Sequence, residues 1–194
     1  MEGRLGWERV NAEAAYHLVP EDEEDEPEIL SAEDDADELF YGVEIGYDAL
    51  IGSSFLLGAY AGADFSDGEI CGSFTDEDSG CLSTGRTLNI GVRTGVPLGE
   101  RAVIYAKGGY SNGKFDLLYD EDIEDEDNDL FEASEKLDGF HVGAGAEFSF
   151  TRNTYGKLEY VYTSFNSYDY RSEDVAGAAD TSRHQVLVGL GLRF

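Results

Sequence analysis

The densest array of chemically capable side chains is the run DEDIEDEDND at 120–129. Carboxylates at this spacing can hold a hard cation, and Asp120, Asp122, Glu124, Asp125 and Asp127 resemble the start of a calcium loop. The glycine such a loop needs at its sixth position is missing. The expectation is therefore a solvated, self-repelling segment with weak, non-stoichiometric Ca2+ or Mg2+ binding and no tightly held cofactor. Cys71 and Cys81 close the segment CGSFTDEDSGC and leave two readings, a disulfide or two free thiols. The histidines are His17, His141 and His184. They show no metal-ligand spacing, and no GxSxG, phosphate loop or dinucleotide motif accompanies them. No catalytic set is predicted.

The elements that must carry these residues are marked by charge. The chain has 194 residues, 13 Lys plus Arg against 42 Asp plus Glu, and a net charge of −29. Such a balance excludes direct, strong nucleic-acid binding, which needs a basic surface. The segments 17–39, 67–84, 116–138 and 167–182 hold 33 of the acids and only two bases, Lys136 and Arg171, a net of −31. The remainder of the chain is +2. Four alternations between acidic and near-neutral stretches mark loops in a repeating architecture.

The stretches between alternate with a period of two, the mark of strands with two unlike faces. Phe140, Val142, Ala144, Ala146, Phe148 and Phe150 oppose Gly139, His141, Gly143, Gly145, Glu147 and Ser149. Val186, Val188, Leu190, Leu192 and Phe194 oppose Arg183, Gln185, Leu187, Gly189, Gly191 and Arg193. Eight strands follow, at about 3–16, 40–50, 54–66, 85–96, 102–115, 138–150, 154–166 and 183–194, in one domain over 1–194. Short connections follow even-numbered strands, and the acidic segments follow odd-numbered ones. The fold class is all-β: an eight-stranded, antiparallel, up-and-down transmembrane barrel with short periplasmic turns and long acidic extracellular loops.

A soluble barrel would share the period but turn its bulky apolar face inward. Here the other face is glycine mixed with Arg4, Glu8, Glu44, Asp48, Arg93, Lys107, Glu147, Lys157, Glu159 and Arg193. Glycine on a solvated face adds nothing to solubility and weakens strands. In a narrow lumen it makes room for long charged side chains to pair. Glu44, Arg93, Lys107, Glu147, Lys157, Glu159 and Arg193 are predicted to form a lumen charge network that fills and locks the barrel. A gated, narrow, cation-preferring path is the alternative. The apolar face requires lipid, with Trp7, Tyr41, Tyr47, Phe55, Phe65, Phe140 and Phe150 among its interfacial aromatics. Arg9 falls on this face and is expected near the outer end of strand 1, within reach of headgroups.

The ending RHQVLVGLGLRF, with LFYGVEIGYDA at 39–49, IYAKGGYSNGKF at 104–115 and YGKLEYVYTSF at 155–165, resembles the small eight-stranded outer-membrane barrels of Gram-negative bacteria. That group includes porin-like, opacity-protein-like and OmpA-transmembrane-domain-like proteins. The resemblance implies residence in the bacterial outer membrane and a structural or surface-interaction role. It implies an assembly signal at Phe194, read by the barrel-assembly machinery. Its other implied partners are outer-membrane lipids and an unidentified extracellular partner, with a monomeric state. A secretory signal is expected ahead of strand 1, and Met1 reads as a start residue replacing it. In an exported protein Cys71 and Cys81 read as a disulfide closing their loop.

Overall fold

The computed structural model describes residues 1–18, 29–52, 54–66, 69–73, 78–121, 131–166, 168–171 and 175–194, with side chains over 1–11, 35–52, 54–66, 85–114, 136–166 and 181–194. Its strands are β1 (Glu2–Leu18), β2 (Ile29–Ile51), β3 (Phe55–Ser66), β4 (Glu69–Ser73), β5 (Asp78–Leu98), β6 (Ala102–Glu121), β7 (Phe131–Ser149), β8 (Thr154–Phe165), β9 (Tyr168–Arg171) and β10 (Val175–Leu192). All pairings are antiparallel. The order β1-β2-β3-β5-β6-β7-β8-β10 returns to β1, so eight strands close a barrel. The short strands β4 and β9 pair with β5 and β10. Closure pairs the barrel backbone without edges, which a lipid surroundings demands.

The strands run further than the alternation indicates. β2 begins at Ile29, β5 at Asp78, β7 at Phe131 and β10 at Val175, inside the acidic segments. A hairpin beyond the lipid keeps its backbone hydrogen bonds while both its faces meet water. The apolar–polar alternation ends there although the ladder does not.

Register fixes the barrel's shape. Stepping from Asn11 through Ser182, Ser164, Phe140, Tyr110, Ile90 and Ala61 reaches Ile45. Glu44 pairs with Glu2, so the circuit closes one residue before Glu2, ten residues below its start. A stagger of ten over eight strands gives a tilt of about 40° and a radius of about 8 Å, a bore that side chains can fill.

The outward face is apolar throughout this body. Leu5, Val43, Ile45, Ile90, Val92, Val142, Val188 and Leu190 are exposed among small residues such as Ala59, Ala61 and Ala146. With the stagger applied, the outward aromatics fall into two tiers. Tyr47, Phe55, Phe148, Phe150 and Phe194 ring the end with short turns. Trp7, Tyr41, Phe65, Tyr110, Phe140 and Tyr162 ring the other. Phe150 to Phe140, ten residues along a tilted strand, covers about 25 Å, the height of an outer-membrane apolar band. The short turns hold Gly52 and Gly99 at φ 66° and 69°, a left-handed conformation that suits glycine.

Arg9 departs from its expected reach to the headgroups. Its guanidinium donates twice to Asp37 on the adjacent strand, at 2.7 and 2.8 Å, and lies over the Trp7 ring. Its sequence position gave no sign of this cross-strand carboxylate.

Candidate functional site

The lumen is built by pairing large residues with glycines on the next strand. Tyr60 pairs with Gly91, Tyr105 with Gly145, Tyr155 with Gly191 and Phe40 with Gly6. A Cβ on Gly191 would stand 2.2 Å from the Tyr155 ring, and one on Gly145 2.6 Å from the Tyr105 hydroxyl. Each inward aromatic therefore lies flat over a neighbouring strand, and the glycines are the space it occupies.

Charged side chains fill the remaining width. At the end with the short turns, Arg93 donates to Glu147 at 2.6 Å and to Asp48. Arg193 donates to the other Glu147 oxygen at 2.8 Å. In the middle, Lys107 donates to Glu44 at 2.9 Å and Glu159 at 3.0 Å. Lys157 contacts Glu2, Glu44 and Glu159, the last two at 3.4 and 3.3 Å. Arg4 bridges Glu44 at 2.7 Å and Asp64 at 2.7 Å. Tyr105 donates to Glu159 at 2.6 Å and Tyr155 to Glu2 at 2.9 Å. Charges so enclosed must be paired and hydrogen-bonded, because their desolvation costs several kcal/mol each.

Toward the acidic end neutral side chains join the network, and beyond them Arg183 lies 3.6 Å from Glu8, which accepts from Gln185 at 2.8 Å. Asn89 donates to Asp64 at 2.7 Å and accepts from Ser111 at 2.8 Å. Ser111 lies 2.7 Å from His141 Nδ1, and the Tyr60 hydroxyl 2.5 Å from His141 Nε2. Ser111 has one proton, and Asn89 takes it. His141 Nδ1 then donates to Ser111, and Nε2 accepts from Tyr60. Beside this tier the buried side chains of Phe40, Val161 and Leu187 form an apolar cluster, with Val10 and Phe165 also buried.

The seven ionisable residues singled out in the sequence all enter this lumen: Glu44, Arg93, Lys107, Glu147, Lys157, Glu159 and, at the mouth, the half-exposed Arg193. Sequence reasoning passed over Asp64, Glu2, Tyr60, Tyr105 and Tyr155. Strand parity was the available signal: Tyr105 shares a face with Lys107 and Tyr155 with Lys157, and Tyr60 and Asp64 share theirs with Gly58 and Gly62. Glu2 lay outside the expected strand. His184 points outward, its Nδ1 2.7 Å from the Tyr160 hydroxyl and its ring tilted at 49° to that of Tyr162.

A cavity of about 310 Å3 opens at the end with short turns, between Glu2, Asp48, Tyr60, Arg93, Tyr155 and Arg193. Further along the axis a cavity of about 10 Å3 lies among Arg4, Asp64, Asn89, Lys107 and His141. Asp122, Glu124, Asp125 and Asp127 lie outside the described residues, and Asp120 is described only as backbone near the end of β6. Cys71 and Cys81 are likewise described as backbone, directly opposite one another between β4 and β5.

Known proteins share this plan. The family model described as outer membrane protein beta-barrel domain matches residues 31–194. A 31 kDa outer-membrane immunogenic protein of Brucella melitensis is 29% identical over 160 residues, 79% of this chain. The match spans 65% of that relative's length. A 22 kDa outer membrane protein of Rhizobium leguminosarum is 30% identical over 92 residues, 47% of this chain and 39% of its own. Among solved structures, Neisserial surface protein A covers 98% of this chain and 97% of its own at 10% identity, with a TM-score of 0.49. The chain belongs to the outer membrane protein beta-barrel domain family and is a protein of the bacterial outer membrane.

Proposed function

We propose that this barrel is a closed anchor that holds acidic segments at the cell surface for interaction, and that it does not conduct solutes or catalyse a reaction. The observation that carries this reading is the stretch of lumen among Arg4, Asp64, Lys107 and His141, where the enclosed space is about 10 Å3, no more than one water needs. Val161 and Leu187, of the apolar cluster with Phe40, line the same stretch. The Ser111–His141 pair gives no support to nucleophilic chemistry, because His141 Nδ1 donates to Ser111 and cannot take its proton. The relative named as immunogenic is consistent with exposure of such segments at a surface. Planar-bilayer recording of the purified chain tests the reading. It expects no sustained openings; steady, cation-selective conductance would establish the channel alternative instead.

The acidic segments add a weak affinity for divalent cations, since their carboxylates otherwise repel one another and an anionic membrane surface. Limited proteolysis with and without millimolar Ca2+ is expected to show slower cleavage within 120–129 when calcium is present. Identical cleavage in the two conditions removes calcium from the proposal.

A further inference from the structure

The lipid-facing wall carries a groove of about 860 Å3 that crosses β6, β7, β8, β10 and β1. It follows one register row. Ala102 pairs with Phe148, Phe148 with Gly156, Gly156 with Leu190 and Leu190 with Gly3. Ala102, Gly3 and, from the next row, Ala146 give the groove depth, and Phe148, Leu158 and Leu190 project beside them. A Cβ built on Gly3 meets nothing within 4 Å, so that end is open. At Gly156 the Phe150 ring would come within 2.8 Å of such a Cβ. That ring packs edge-on to Phe148, with 5.9 Å between centroids, and the pair forms an aromatic wall at the low end.

The stagger makes this row climb. Four strand spacings at a tilt of about 40° raise Gly3 about 12 Å above Ala102. That is about half of the apolar band, the depth of one leaflet. The low end lies at the aromatic tier beside the short turns, and two bases stand at its foot. Arg101 precedes Ala102, and its carbonyl accepts from the Ser149 N–H at 2.7 Å. Arg152 lies just past Phe150 in the turn that follows. Both are exposed, and among the described residues neither guanidinium has a hydrogen bond or an ion pair, with Glu100 or with any other acid. Arg93 and Arg193, the other bases at this end, are both bound to Glu147.

We propose that the groove and these two arginines seat an anionic phospholipid of the leaflet beside the short turns. Its phosphate takes charge-assisted hydrogen bonds from Arg101 and Arg152. One acyl chain lies along the row toward Gly3. The groove opens to hydrocarbon, so an acyl chain suits its apolar walls, and the unpaired positive charge at its foot favours a headgroup of net negative charge. The site is independent of whether the lumen conducts.

The test uses the full chain in detergent with phosphatidylglycerol, and with diacylglycerol of the same chains as comparison. Native mass spectrometry reads the lipid-bound fraction across a titration. R101Q/R152Q is expected to weaken phosphatidylglycerol binding at least fivefold, and diacylglycerol should bind the parent no better than that. Gly3→Leu, which fills the open end without an internal clash, is expected to weaken binding at least threefold. K136Q, which removes a base at the opposite end, should bind like the parent. Parent-like binding by R101Q/R152Q or by Gly3→Leu overturns the proposal, as does an equal loss in K136Q. If Gly3→Leu does not give a heat-modifiable barrel, Ala146→Leu in the same groove decides at the same threshold. A stable dimer of the lipid-free parent would assign the groove to a second copy and would overturn the proposal as well.

Discussion

Lys107 and Glu44 stand three strands apart around the barrel, on β6 and β2, and meet at 2.9 Å across the lumen. The same ammonium reaches Glu159 on β8, and the same carboxylate accepts from Arg4 on β1. Four walls are thereby tied through two side chains. Lys107→Met leaves Glu44 and Glu159 short of a counter-charge inside the lumen. Removing one partner of a buried pair costs about 3–5 kcal/mol. Urea unfolding of the barrel in lipid vesicles is expected to show a loss of that order, and Glu44→Gln should couple to it in a double-mutant cycle. A loss under about 1 kcal/mol would mean that the remaining cations, Arg4 and Lys157, suffice for Glu44.

Gly191 carries the second prediction. Its absent side chain is the seat of the Tyr155 ring, whose hydroxyl donates to Glu2 at 2.9 Å. Gly191→Val drives the ring from that seat and leaves the Glu2 carboxylate with Lys157 but without the Tyr155 hydrogen bond. Overpacking of this kind costs about 1–3 kcal/mol. Gly3→Val offers the comparison, because nothing lies within 4 Å of a Cβ built there. Vesicle unfolding of the two variants should separate them by at least 1 kcal/mol; equal stabilities would show that Tyr155 re-seats without loss.

These two residues also mark what the sequence makes legible. Period-two alternation places Gly191 and Lys107 on the inward face, because a strand offers only two directions and lipid accepts only one kind of side chain. The eight strands and their closure are readable for the same reason. Parity does not carry partner choice. Lys107 meets Glu44 only because the stagger of ten brings β2 and β6 to one height, and stagger is a property of every register together. The Tyr155–Gly191 pairing is hidden likewise, since its members lie on β8 and β10 with no local signal linking them. Strand ends are illegible above the membrane, where water on both faces removes the alternation at Asp35 and Asp37 while the ladder continues.

The Arg9–Asp37 pair predicts a pH response at the outer rim. The guanidinium hydrogen bond, with its charge, holds the Asp37 carboxyl below its ordinary value of 3.8. A carboxylate so depressed adds stability above the ordinary carboxylate range, and that contribution disappears as pH falls through the lowered value. Both side chains are solvent-exposed, so titration is the appropriate readout rather than global unfolding. Carboxyl NMR should place the Asp37 midpoint below 3.8 and return it toward 3.8 in Arg9→Gln. An unmoved midpoint in that variant would assign the depression to another group.

Cys71 and Cys81 pair in register between β4 and β5, flanked by Ile70 with Leu82 and Gly72 with Gly80. Directly opposed antiparallel residues have Cα atoms about 4.5–5.5 Å apart. A disulfide spans about 4.4–6.8 Å between Cα atoms, so the backbone permits the bond. Its closed loop is short, and the stabilisation is about 3 kcal/mol at most, confined to this hairpin. Oxidatively refolded protein is expected to resist iodoacetamide until it is reduced, then to gain two alkyl groups by mass. Cys71→Ser/Cys81→Ser should hasten proteolysis within 67–84 and leave the barrel's unfolding midpoint unchanged. Alkylation of both thiols without reduction would show that the strand pairing alone closes the hairpin.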